Sequence, residues 1–146
     1  MITTVGLGET VNYKFTTSVN GVPTQLAGSP AVACYVGSST TERTTGVTLT
    51  VDFDARTGLN NVAIVATSGN GYAAGERITL VITAGTVGGY SVVGTVVGEF
   101  CVVPAVVYDA LVDGTDTLQA DVTQWLGTAA ATPSVAGVPE VDLTHI

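Results

Sequence analysis

An all-β fold, an antiparallel β-sandwich followed by an extended repeat segment, is what this 146-residue sequence predicts, on three observations. The apolar fraction is carried by Val and Ala interleaved with Thr, a β-branched mixture that suits pleated strands better than helices. Gly accounts for 18 residues and falls between the apolar runs, where turns need positive φ. Finally, Asp121-Val122-Thr123-Gln124-Trp125 returns position for position as Asp142-Leu143-Thr144-His145-Ile146. A fixed period of this kind marks a stacked or shaft-like architecture, whose unit is too small to bury its own apolar face.

Taken in order, residues 2–7 are apolar and precede the first alternating run. They read as an N-terminal arm, with Ile2, Val5 and Leu7 as candidate docking residues. Residues 10–16 then alternate, with Val11, Tyr13 and Phe15 on one face, and the Asn20-Gly21 pair that follows is a strong turn signal. Residues 31–36 form the next strand. In residues 47–53, Val47, Leu49, Val51 and Phe53 line one face and threonines the other. After a turn over 54–58, residues 61–66 make another strand, which Ser68-Gly69-Asn70-Gly71 breaks. Ile78, Leu80 and Ile82 are in phase over 77–83, and Gly88-Gly89 leads into a long run over 90–103. Six or seven strands with no convincing helix imply an immunoglobulin-like antiparallel sandwich of about 100 residues, placed at 1–103.

Pro104 opens a different segment. Residues 104–120 read as a linker, in which 105–112 form a short helix or an extended stretch and 113–116 a turn. Residues 121–146 are the start of the repeat shaft. Two prolines and two glycines in its first unit exclude a helix interior. Extended segments wrapped around identical chains fit it, with a homotrimer expected. Trp125, Leu126, Val138, Val141 and Leu143 are the candidate interchain contacts.

Charge follows the same boundary. The net charge is −8. Residues 1–103 hold all four basic residues (Lys14, Arg43, Arg56, Arg77) and six acidic ones, whereas 104–146 hold six acidic residues and no base. Scattered bases give no footprint for a phosphate backbone, so nucleic acid is not an expected partner. No run reaches the roughly 18 apolar residues of a membrane span, and the N-terminus lacks the basic and apolar regions of a secretory signal. A mean hydropathy of +0.48 on a chain with 11% charged residues suggests a surface covered by neighbours, as in an assembly subunit.

The inventory for catalysis is thin. The single histidine, His145, stands next to the last residue of this sequence and in phase with Gln124 of the repeat. A Ser-His-Asp or Cys-His site would have to use it. Asp52-Phe53-Asp54 has a faint likeness to a calcium loop, but Arg56 occupies the next ligand position and no distal Glu follows. A strand-ending turn in which Asp54 bonds local backbone is the simpler reading. Asp52, Asp54 and Glu99 supply carboxylates without an aromatic cleft for a sugar. Tyr72 reads as core packing rather than a sugar platform, and Trp125 as an interchain contact. Gly6-Leu7-Gly8 lacks the third glycine and the strand–helix setting of a nucleotide site. Cys34 and Cys101 sit in apolar runs and read as buried thiols, though their spacing leaves room for an inter-sheet disulfide. No enzyme activity, cofactor or metal is expected.

Four blocks, Val51-Asp52-Phe53-Asp54-Ala55-Arg56-Thr57-Gly58-Leu59-Asn60, Gly71-Tyr72-Ala73-Ala74-Gly75-Glu76-Arg77, Ile82-Thr83-Ala84-Gly85-Thr86-Val87 and Val96-Val97-Gly98-Glu99-Phe100, resemble a domain common in tailed-phage structural genes. The segment from Trp125 through Pro133 to Asp142 resembles the tandem repeats downstream of that domain in phage fibre-like proteins. The resemblance implies a non-enzymatic virion component, assembled in the host cytoplasm, whose sandwich docks a head or tail fibre onto capsid or tail proteins. Host surface glycans would be met through distal parts outside this sequence. The alternative is a stand-alone capsid decoration or carbohydrate-binding module, using loop aromatics such as Tyr72 and Tyr90.

Overall fold

Apolar residues alternating with hydroxyl and amide residues set the strands of this chain, and Gly or Asn at positive φ end them. The computed structural model describes residues 3–113 and, beyond them, the backbone of two short strands. The strands are β1 (Thr3–Gly6), β2 (Thr10–Thr16), β3 (Ser18–Val19), β4 (Val22–Pro23), β5 (Leu26–Val36), β6 (Val47–Thr50), β7 (Leu59–Val65), β8 (Arg77–Val87), β9 (Tyr90–Ser91) and β10 (Val96–Val103). One helical turn, α1 (Ala105–Tyr108), follows β10 and runs into a π-helical turn over Asp109–Asp113. Strands β11 (Gln124–Trp125) and β12 (Thr128–Ala129) pair antiparallel. The fold is all-β, as the sequence predicts.

The main sheet has the order β1-β10-β8-β5, with β9 added beside the end of β8. A second sheet has the order β2-β7-β6, and β3 and β4 make a separate hairpin. Both sheets feed one core. Val32 and Cys34 of β5, Ile78, Leu80 and Ile82 of β8, and Phe100 and Val102 of β10 meet Val11 of β2 and Val62 and Ile64 of β7. The expected phases of 10–16 and 77–83 are the observed ones. Burying such side chains contributes about 1.5–3 kcal/mol each and is the main force holding the sheets together.

Elsewhere the structure corrects the reading. The run over 47–53 stops at Thr50, and Phe53–Ala55 is a 3-10 turn. The run over 90–103 is broken between Ser91 and Val96, where the Gly94 N–H bonds the Ile82 carbonyl (2.9 Å). Residues 3–7 are no free arm. Thr3–Gly6 pairs in parallel with Phe100–Val103, Val5 is only 2% exposed, and Leu7 packs against the core. Of the proposed docking residues, Val5 and Leu7 therefore belong to the domain interior, and Ile2 lies outside the described residues. The reason is pairing: a four-residue strand with two exposed threonines, held by the β10 edge, still buries its one large side chain. The segment after Pro104 begins as a helix whose Tyr108 lies on Gly6, where a Cβ would come within 2.9 Å of the Tyr108 ring.

The cysteines sit on β5 and β10, two positions apart in the same sheet with β8 between them. That spacing is about 9.6 Å, beyond disulfide reach. Cys34 faces the core, whereas Cys101 lies between the inward Phe100 and Val102 and faces out. Both are free thiols, and an inter-sheet bond is excluded.

Candidate functional site

The strand directions give the domain two unlike ends. At the exit end β10 hands over to α1. There the Leu7 N–H bonds the Val103 carbonyl, the Gly8 N–H the Ala66 carbonyl and the Gly75 N–H the Val102 carbonyl. The far end gathers the end of β2, the β3–β4 hairpin, the β6–β7 turn and the β8–β9 hairpin. A Cβ on Gly88 would lie 2.6 Å from Val19 Cγ2, so the two hairpins touch there.

The far end is built on a buried polar knot. Asn60 is fully buried on β7, and its Nδ2 donates to Thr17 Oγ1 (3.2 Å) and to the Gly58 carbonyl (3.3 Å). Thr17 Oγ1 in turn donates to the Thr24 carbonyl (2.7 Å). Asp52 Oδ1 accepts the Gly58 N–H (2.7 Å), and Oδ2 accepts from Gln25 Nε2 (2.9 Å). These bonds hold Asp52, Asp54 and Ala55 at φ of 50°, 59° and 54°, a region costly for residues with a side chain. The turn-holding carboxylate is therefore Asp52. Asp54, expected to bond local backbone, instead meets Arg56 in an exposed pair (3.2 Å).

Around this knot the two hairpins and the β9–β10 connection carry exposed apolar side chains, beside the exposed Asp54–Arg56 pair of the β6–β7 turn. Tyr90 is 73% exposed, and Val22, Val93 and Val96 are each more than half exposed. Residues 15–41 and 78–98, which supply both hairpins, contain no Asp, Glu, Lys or Arg. Sequence reasoning missed Val22, Val93 and Val96, although those two uncharged stretches carry the signal.

The exit end is bound by charge. The Arg43 guanidinium makes two bonds to the Glu76 carboxylate (2.8 and 3.1 Å) and stacks 4.7 Å above the Tyr72 ring centroid. Glu76 also accepts the Ala73 N–H (3.1 Å). The Arg43 hydrogen bonds, supported by that N–H, hold the Glu76 carboxyl below its ordinary range despite partial desolvation. Tyr72 donates to the Thr45 carbonyl (3.2 Å) and lies 3.5 Å from Cys34 Sγ. Burial, with that sulfur beside it, pushes the Tyr72 phenol far up, and burial raises the Cys34 thiol as well. Both shifts favour the protonated groups at neutral pH, and the cluster pins the loops around it together.

The remaining sequence candidates divide accordingly. Tyr72 is 2% exposed and cannot stack on a sugar, whereas Tyr90 can. Trp125 lies in β11, and its partners Leu126, Val138, Val141 and Leu143, like His145, lie outside the described residues. Among the described residues no three of His, Cys, Asp and Glu come together as a metal site, and no helix is long and apolar enough to cross a membrane. No family model, curated protein or solved structure matches the chain.

Proposed function

We propose that this chain is a non-enzymatic virion structural protein, a head or tail fibre of a tailed phage. In this reading an N-terminal immunoglobulin-like sandwich docks on the particle, and the C-terminal repeats form a homotrimeric shaft. The observation that carries it is the polarity of the domain. Exposed apolar side chains on two hairpins without charged residues stand at the end opposite the one from which the chain runs on toward its repeats. Such a patch suits contact with a protein surface rather than with nucleic acid.

Strand order supports the immunoglobulin-like part. Counting only strands of four or more residues, one sheet runs first–seventh–sixth–third and the other second–fifth–fourth. The immunoglobulin arrangement has the same third–sixth–seventh and second–fifth–fourth groupings. Here the first strand pairs with the seventh and not with the second. Docking thus moves from the N-terminal residues to Val22, Tyr90, Val93 and Val96.

The exposure of Tyr90 favours a second reading, a decoration or carbohydrate-binding module that acts alone. Light scattering on 1–146 and 1–113 separates the two; the shorter chain keeps Tyr108 over Gly6. The fibre reading expects a threefold step in subunit number between them. Equal subunit numbers overturn the shaft and leave the module.

A further inference from the structure

The strand β2 is the outer strand of its sheet, and its hydrogen-bonding parity is set at both ends. The Thr17 N–H bonds the Gly58 carbonyl and the Ala66 N–H bonds the Glu9 carbonyl, in step with the register that pairs Thr10 with Val65 and Thr16 with Leu59. Odd-numbered residues therefore carry the ladder to β7. The N–H and C=O groups of Thr10, Asn12, Lys14 and Thr16 point away from it. Among the described residues nothing bonds these eight groups, and all four residues are exposed.

The other edges are guarded in ways that β2 is not. Strand β5 carries Ser29 at φ 53°, Pro30 and two register shifts, and Arg43 bridges its outer side at Cys34. Strand β1 lies beside α1, and β6 has only four residues. Glu99, on the part of β10 that β1 does not reach, has its carbonyl bonded by the Tyr13 hydroxyl. β2 has seven residues, no proline and no register shift within them.

Register selects the occupant, and charge excludes the alternatives to it. Arg43, Arg56 and Arg77 each have a carboxylate within 4 Å, whereas Lys14 has none among the described residues. Lys14 Nζ instead lies 4.7 Å above the Phe53 ring and 3.5 Å from Asn61 Oδ1, and Asn61 Nδ2 donates to Asn12 Oδ1 (3.3 Å). Asn12 and Lys14 thus form one outward polar row. An antiparallel strand of the same sequence, centred on Tyr13, would set Asn12 opposite Lys14 and Thr10 opposite Thr16, each pair twice. All the outward backbone groups would then be bonded. Centring on Asn12 or on Lys14 would also match the parity, but leaves outward groups without partners, and the Lys14 register puts two ammonium groups face to face. We propose that β2 is a self-association edge, through which two copies of this chain join their three-stranded sheets about a two-fold axis. This contact uses neither the repeats nor Val22, Tyr90, Val93 and Val96, so it stands or falls separately from the fibre reading.

The test is sedimentation velocity of the full chain over a concentration series, on the wild type, Asn12→Asp, Asn12→Lys and Asn12→Lys combined with Lys14→Glu. Reversible doubling of the basic assembly, whether one chain or three, is expected for the wild type. Asn12→Asp keeps the acceptor for Asn61 and tightens the pair. Asn12→Lys sets two like-charge pairs and weakens it about tenfold. The double variant restores it, because only the Tyr13-centred register then places opposite charges face to face. No doubling, or doubling indifferent to these changes, overturns the proposal. Tightening by Asn12→Lys also overturns it, since that sign belongs to the acidic 104–146 segment occupying the edge. A threefold assembly without doubling removes this edge alone, and doubling without a threefold step removes only the shaft.

Discussion

The two ends of the domain are closed by different chemistry, and the difference separates what the fold keeps for itself from what it offers. At the exit end a guanidinium, a carboxylate, an aromatic ring and a thiol close on one another, and each satisfies its neighbour. At the far end the knot of Thr17, Asn60 and Asp52 lies underneath, while apolar side chains of the hairpins remain outside, beside the exposed Asp54–Arg56 pair. A surface that has spent its polar groups inward and left Tyr90 in water has its remaining binding capacity in apolar contact.

Tyr72→Ala at the exit end breaks this comparison most strongly. The ring is 2% exposed and packs 6.5 Å from the Phe100 ring centroid, so its removal leaves a cavity, strips Arg43 of its stacking surface and orphans the Thr45 carbonyl. A loss of about 3–5 kcal/mol is expected in chemical denaturation. A loss below about 1 kcal/mol would mean that this end is not held by the cluster.

The next effect is smaller and depends on pH. Glu76 titrates below its ordinary value in the folded chain, so its contribution is present above the unfolded carboxylate pKa of about 4.3 and is lost as pH falls through the lower folded value. Glu76→Gln should cost on the order of 1 kcal/mol at neutral pH, because the pair is only about one-fifth exposed and doubly bonded. It should also remove part of the loss of stability below about pH 4. Stability profiles of wild type and variant that stay parallel from pH 7 to pH 3 would assign the acid sensitivity to other carboxylates.

The same contrast explains what the sequence disclosed. Alternation placed β2 and the first half of β8, because their inward residues are large and strictly in phase. It missed β1, whose single fully buried large residue, Val5, gives no period to detect, and which is a strand only because β10 offers a parallel edge. The turn was visible over 54–58, whereas 51–53 read as strand. Its holding group was misassigned, because which of two aspartates reaches the Gly58 N–H depends on left-handed backbone at Asp52 that local propensity disfavours. Arg43 and Glu76 are far apart in sequence and meet only because β5 and β8 are neighbours, so nothing local announced them. Tyr90 was legible as a loop aromatic, whereas Val22 stood out only as part of an uncharged stretch, since exposure is a property of the assembled hairpins.

The smallest expected effect on stability is the sharpest test of the far end. Tyr90 pairs with Val87 through backbone bonds in a two-residue strand, and its ring contributes little to the buried core. Tyr90→Ser should therefore change the unfolding free energy by no more than about 0.5 kcal/mol. The β8–β9 connection itself is fixed by Gly88 and Gly89 at φ of 57° and 86°, which the substitution leaves alone. A variant that folds as the wild type does but loses its binding partner would place the docking function on this surface. If Tyr90→Ser instead costs more than about 1 kcal/mol, the ring is part of the domain's own packing. The far end would then be closed in the same sense as the exit end, and the polarity on which the docking reading rests would disappear.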